Sequence, residues 1–292
     1  MVFPGMYFGE KSGAGEFPGT IIFPTPLLFQ ILEQSCNENK FLRKFQEVIM
    51  EIIEDIVYGN EKLDLYLPEN KDFDLFVYFH GGGLERGSKA SRPHIYKHLA
   101  SCGVAAASVD YRMYPQAKYP DFIEDCAQAV AWLKENIANY GNCKRIFVGG
   151  SSAGGYISMM LCFDKQWLGK YGIDPMDIDG FVHDAGQPTK HFNVLKEHGV
   201  DERRIIVDET APLYHVGMAE TYPPMVFIVS DNDMKNRFEQ TQLMISTLRH
   251  FGHEVPLVVR NGNHCYYVRQ KNEDGSSPLA EMILDFVNSL SV

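Results

Sequence analysis

No stretch of this sequence offers the roughly 18 consecutive apolar residues that a helix needs to cross a bilayer, so no membrane span is expected. Basic residues are in deficit: 27 Lys and Arg face 38 Asp and Glu, a formal charge of -11. That balance leaves no cationic stripe for a phosphate backbone, which excludes nucleic acid as a partner and favours a neutral or cationic small molecule. The six cysteines, at 36, 102, 126, 143, 162 and 265, never form a C-x-x-C pair, so neither a zinc site nor a thioredoxin-like motif is expected. Unpaired thiols suit a reducing, cytoplasmic compartment. The opening residues are broken by Pro and Gly and lack a basic start, so they do not read as a secretory signal. With no repeat, low-complexity tract or Pro/Ser-rich linker, one domain over 1–292 is the simplest expectation.

What is present is an alternation of β-rich runs and amphipathic stretches from about residue 52 onward, the pattern of a largely parallel sheet covered by helices. Eight strands are expected, at 55–59, 63–67, 75–79, 104–111, 145–150, 179–186, 225–230 and 254–260. Several are apolar nearly throughout, as strands buried on both faces are. Between 120 and 141, Phe122, Ile123, Cys126, Ala129, Val130, Leu133 and Ile137 recur at helical spacing before a terminating Gly. Helices are expected also at 153–163, 238–252 and 277–290. Two regions break the alternation. Residues 1–51 read as an apolar helical extension suited to a cap or a dimer surface, and 187–224 as a long, pocket-lining connection.

The stretch "IFVGGSSAGGY" (146–156) contains G-x-S-x-G between a β-run and a helix. A sharp strand–turn–helix tolerates only small residues two before and two after its central serine. Ser152 has glycine at both positions; Ser151 has Ala153 on one side. A serine hydroxyl becomes a nucleophile only with a base beside it and a carboxylate to orient that base. "FVYFHGGGLERG" (76–87) places three glycines after a strand, where backbone N–H groups can meet a developing oxyanion. "VFIVSDNDMKN" offers Asp231 and Asp233 beyond a strand, and "VVRNGNHCYY" offers His264 beyond another. The order serine, aspartate, histidine is the one expected of this sheet type.

Across residues 55–290 the chain resembles the α/β-hydrolase carboxylesterases, in their hormone-sensitive-lipase-like and acetyl-esterase/feruloyl-esterase-like (BD-FAE-like) branch. "LDLYLP", "HGGG", "DYRMYPQAKYPDFIEDC", "GSSAGG", "SDND" and "NHCYY" carry the resemblance. It implies an α/β-hydrolase fold with Ser152 as nucleophile, His264 as base and Asp233 as orienting acid, Asp231 being the alternative. It also implies an oxyanion hole from the N–H groups of Gly82, Gly83 and Ala153. The family's elbow commonly carries an acid where Ser151 stands. A short acyl chain such as acetyl, on a carbohydrate or aromatic ester, is the substrate class implied, and neither cofactor nor metal is needed. An amidase, formamidase or peptidase of the same fold would keep the same residues; a non-catalytic binding protein would be expected to lose the serine or the histidine.

Other residues invite blander readings. His80 is expected to brace the glycine loop, His183 to be a satisfied, partly buried histidine, and Cys265 to be a small wall residue. Asp110 and Arg112 are expected to pair with each other. Aromatic pocket walls are expected from Phe23, Phe29, Trp167, Phe192, Tyr214 and Tyr266.

Overall fold

Parallel strands that are apolar on both faces can exist only where helices cover both, and that requirement organises this chain. The structure, a computed structural model, describes residues 50–290. The described residues fall within one compact unit, 48–292. The helical extension expected over 1–51, with Phe23 and Phe29, lies outside the described residues except at its end, where Glu51 is already strand.

All eight expected strands form: β1 (Glu51–Tyr58), β2 (Glu61–Leu67), β3 (Asp72–Phe79), β4 (Val104–Val109), β5 (Asn142–Ser151), β6 (Gly180–Asp184), β7 (Met225–Asn232) and β8 (Leu257–Asn263). They make one sheet in the order β1-β2-β4-β3-β5-β6-β7-β8, antiparallel at β1/β2 and β2/β4 and parallel from β4 onward. The helices among the described residues are α1 (Pro93–Ser101), α2 (Asp121–Asn136), α3 (Ala153–Phe163), α4 (Gln166–Gly169), α5 (Phe192–Glu197), α6 (Arg237–His250), α7 (Tyr266–Arg269) and α8 (Pro278–Ser289). None is long and apolar enough to cross a membrane.

Successive residues of the central strands feed opposite faces, as the two-residue period demands. Leu75, Val77 and Phe79 of β3 join a core with α2, α3 and α6, whereas Phe76 and Tyr78 join a second core with α1 and α8. Ala105 and Ala107 of β4 go one way and Ala106 the other. Helix α3 is buried along its whole length, so it shows no polar stripe. Helix α1 was not expected. Its Pro at the first turn and its buried Ile95, Tyr96, Leu99 and Ala100 are the signals that mark it.

Because β3, β5, β6, β7 and β8 run parallel, the loops after their C-terminal ends share one edge of the sheet, where such folds place ligands. Those loops carry His80–Gly83, Ser152, Ala185 onward, Asp233 and His264. The β6–β7 connection, Ala185 to Pro224, holds α5 and a 3-10 turn at Pro212–His215.

Phe122, fully buried on α2 with its ring 5.8 Å from that of Tyr114 and 6.2 Å from that of Tyr119, tests the first core. Phe122→Ala is expected to lower stability by about 3–5 kcal/mol, read as a reduced urea midpoint at unchanged slope.

Candidate active site

Strand β5 ends at Ser151 and α3 begins at Ala153, leaving Ser152 alone at the turn with φ 57 and ψ -110. A side chain in that region is strained and persists only where the surroundings enforce it. Here they do. A Cβ on Gly154 would lie 2.0 Å from the Phe79 carbonyl oxygen, and one on Gly150 2.5 Å from the same atom. A Cβ on Gly155 would come 2.5 Å from the Asp184 carbonyl oxygen, so that glycine lets α3 lie against the end of β6. The Ser152 N–H donates to the same Asp184 carbonyl, at 2.8 Å.

His264 lies 2.8 Å from Ser152 Oγ through Nε2 and 2.6 Å from Asp233 Oδ1 through Nδ1. An Nδ1–H donating to the carboxylate leaves Nε2 free to accept the serine proton. The Asp233 side chain is 0% exposed and also accepts the N–H groups of Met234, at 2.7 Å, and Ser230, at 3.4 Å. Asp231, the alternative acid, is exposed and accepts from Gly262 N at 2.9 Å. The arrangement therefore brings Asp233, not Asp231, to the histidine.

The glycine loop passes directly over the elbow: a Cβ on Gly81 would meet Ser152 Cβ at 3.2 Å. Gly82 and Gly83 have φ of 131 and 70, a region that favours glycine. Their carbonyls are engaged, Gly82 O by the N–H groups of Glu85 and Arg86 and Gly83 O by the Asn193 amide. Their N–H groups donate to no group among the described residues. Ala153 is buried at the first turn of α3, where backbone N–H groups have no intrahelical acceptor. His80 braces the loop, stacked on Tyr111 at 4.4 Å with Nδ1 2.8 Å from Gly81 O, and burial holds its pKa down.

A cavity of about 750 Å³ opens above these groups, lined by Gly81–Gly83, Ser152, His264, Phe192, Met234 and Val268 among others. Of the aromatic walls expected from sequence, Phe192 is in place, its ring 3.2 Å from where a Gly83 Cβ would stand. Tyr214 and Tyr266 are not part of this wall; they are 45% and 49% exposed. Trp167 is buried against Tyr119 in the helical core, again outside the cavity wall. Cys265 does line the cavity, its thiol pushed well up by burial. Among the described residues no cluster of three or more His, Cys, Asp or Glu is placed to hold a metal.

Two expectations about neighbouring residues change. Arg112 does not pair with Asp110 but grips Asp125 with Nε and Nη2, at 2.8–3.1 Å, because α2 carries that carboxylate under its loop. Asp110 accepts instead from Lys89 N, at 2.6 Å. His183 is fully buried and only half satisfied: Nδ1 lies 2.9 Å from Ser158 Oγ, Nε2 has no partner among the described residues, and burial pushes its pKa down to about 3. It stays neutral.

The sequence reading missed Asp184. This buried carboxylate accepts the hydroxyls of Ser151 and Tyr267, and the Tyr78 hydroxyl donates to Ser151 Oγ at 2.7 Å. It thus joins β6, the elbow and the segment after His264. The β5–β6 register that sets Ser151 opposite Asp184 cannot be read from either run alone.

The family model described as BD-FAE matches residues 63–248, well over half of the chain. The chain belongs to the BD-FAE family. Among the relatives of this BD-FAE member, carboxylesterase NlhH of Mycobacterium tuberculosis is 39% identical over 135 residues, covering 41% of this chain and 42% of that protein. Isoprenylcysteine alpha-carbonyl methylesterase ICME of Arabidopsis thaliana is 36% identical over 109 residues, covering 35% and 26%. The chain spans less than half the length of these curated relatives. Esterase B of Lactobacillus rhamnosis superposes with a TM-score of 0.68 at 18% identity, covering 90% of this chain and 94% of that one. The esterase of Pyrobaculum calidifontis gives 0.65 at 20%, covering 93% and 95%. The BD-FAE chain therefore has the α/β-hydrolase fold.

Burial, first, raises the Asp184 pKa from 3.8 to about 6, despite the hydroxyls of Ser151 and Tyr267. A raised carboxyl favours folding below its unfolded pKa, and that contribution is lost as pH climbs through the folded one. Asp184 should therefore contribute a fall in melting temperature between about pH 4 and 6, and Asp184→Asn should remove that contribution, making the variant's slope over this range more positive than the native one. Thermal melts of both across this range check it; parallel slopes would contradict it.

Proposed function

We propose that the chain is a serine carboxylesterase acting on short-chain, acetyl-sized esters through an acyl-enzyme. The observation that carries this reading is the unbroken hydrogen-bonded line from Asp233 through His264 to Ser152, lying beside glycine N–H groups with no partner among the described residues. Ester hydrolysis by the relatives' printed names, carboxylesterase and methylesterase, supports it.

Ser152 Oγ attacks the ester carbonyl carbon while its proton passes to His264 Nε2. Asp233 holds the ring in the productive tautomer and stabilises the imidazolium. The carbonyl oxygen, now anionic, accepts from the N–H groups of Gly82, Gly83 and Ala153, each such donor being worth about 3 kcal/mol in the transition state. Collapse breaks the C–O bond, and His264 returns the proton to the departing alcohol. Water, deprotonated by the same ring, then attacks the acyl-serine and releases the acid. Every charge in this sequence is met by groups of the chain itself. The Phe192 ring beside Gly83 narrows the space near the oxyanion donors, which favours a small acyl group.

On 4-nitrophenyl acetate, Ser152→Ala should lose at least about 10⁴-fold in kcat, and Asp233→Asn about 10⁴-fold through the wrong tautomer. Asp231→Asn should change kcat less than about threefold, because surface substitutions away from the reacting groups have small effects. Near-native turnover in Ser152→Ala would overturn the reading, and a larger loss in Asp231→Asn than in Asp233→Asn would reassign the acid.

A further inference from the structure

The chain as a whole carries a charge of -11, yet the cavity reverses that sign. Its wall includes three arginines, Arg86, Arg92 and Arg269, against one carboxylate, Glu85. Glu85 already has a counter-charge in Lys196 Nζ, at 3.6 Å. Arg112, Arg145, Arg203 and Arg249 each sit on a carboxylate. The three cavity arginines make no ion pair or side-chain hydrogen bond among the described residues.

They come from three separate segments. Arg86 follows the glycine loop, its N–H donating to Gly82 O at 3.2 Å. Arg92 immediately precedes α1, and Arg269 closes α7, the short helix just beyond His264. The charge of Arg92 reaches His94, two residues on, whose pKa is lowered by burial first and then by the charges of Lys271 and Arg92. Like charges gathered beside a cavity repel one another, and that cost is relieved when an anion enters. The planar fork of a guanidinium matches a carboxylate in particular.

We propose that the esters this site selects carry a carboxylate on their alcohol part, held by Arg86, Arg92 and Arg269. The inference rests on the esterase reading above and names its substrate class. The alcohol part is the one assigned because the acyl side, next to Phe192 and Gly83, is the narrow one. The global acidity argues for a neutral or cationic partner, but a ligand inside the cavity meets the local charge first.

The test compares 3-acetoxybenzoate with the neutral, near-isosteric 3-acetoxybenzamide, following release of the phenol by the full chain. At low ionic strength kcat/KM should favour the benzoate by about tenfold or more, and added salt should shrink that ratio. In Arg92→Gln/Arg269→Gln, and separately in Arg86→Gln, the ratio should fall towards one, with benzamide turnover reporting that the site still folds. A wild-type ratio of one or below, or a ratio that all these variants leave intact, would overturn the inference. If the wild type hydrolyses neither compound nor 4-nitrophenyl acetate, the esterase reading itself fails, and the inference with it.

Discussion

Everything at this site depends on one close approach: α3 enters against β3 so tightly that no side chain fits between them. At 2.0 Å from a Gly154 Cβ, the Phe79 carbonyl leaves glycine as the only residue for that position. The consequence is the positive φ of Ser152, which lifts its hydroxyl off the end of β5 and towards the edge where the parallel strands deliver their loops. The strain is held from two sides. Asp184 accepts the Ser152 N–H on its carbonyl and the Ser151 hydroxyl on its carboxylate. Tyr267 ties the same carboxylate to the segment that bears His264. Ser152 and the segment bearing His264 are thus held by one buried residue.

Much of this was legible in the chain, and for a physical reason. Strands buried on both faces must be apolar throughout, so "LFVYF" and "MVFIVS" announce themselves, and an elbow with no room for side chains must be written in glycine. The pairing of Ser152, His264 and Asp233 follows from strand order, since parallel strands bring their trailing loops to one edge. Asp233 could be preferred to Asp231 only by resemblance. Structure separates them because Asp231 is drawn to the Gly262 N–H while Asp233 is buried beneath the ring.

What escaped the sequence is what depends on register and on side-chain direction. Arg112 finds Asp125 rather than Asp110 because a helix brings the acid back beneath the loop. Tyr214 and Tyr266 are aromatic and close in sequence to pocket-forming segments, but a helical turn sends each of them outside the cavity wall. Where the resemblance implies an acid beside Ser152, this chain has Ser151, whose hydroxyl reaches a carboxylate of the neighbouring strand, Asp184. Net charge misleads in a similar way, because a sum over 292 residues says nothing of which few line a cavity.

The central claim is that Ser152 alone is the activated serine, and its reactivity towards a serine-directed fluorophosphonate tests it most directly. The full chain, incubated with the reagent and digested, should give one phosphonylated peptide, with fragmentation placing the adduct on Ser152. His264→Ala should abolish the adduct. Labelling on Ser151, or none in the native protein, would contradict the account.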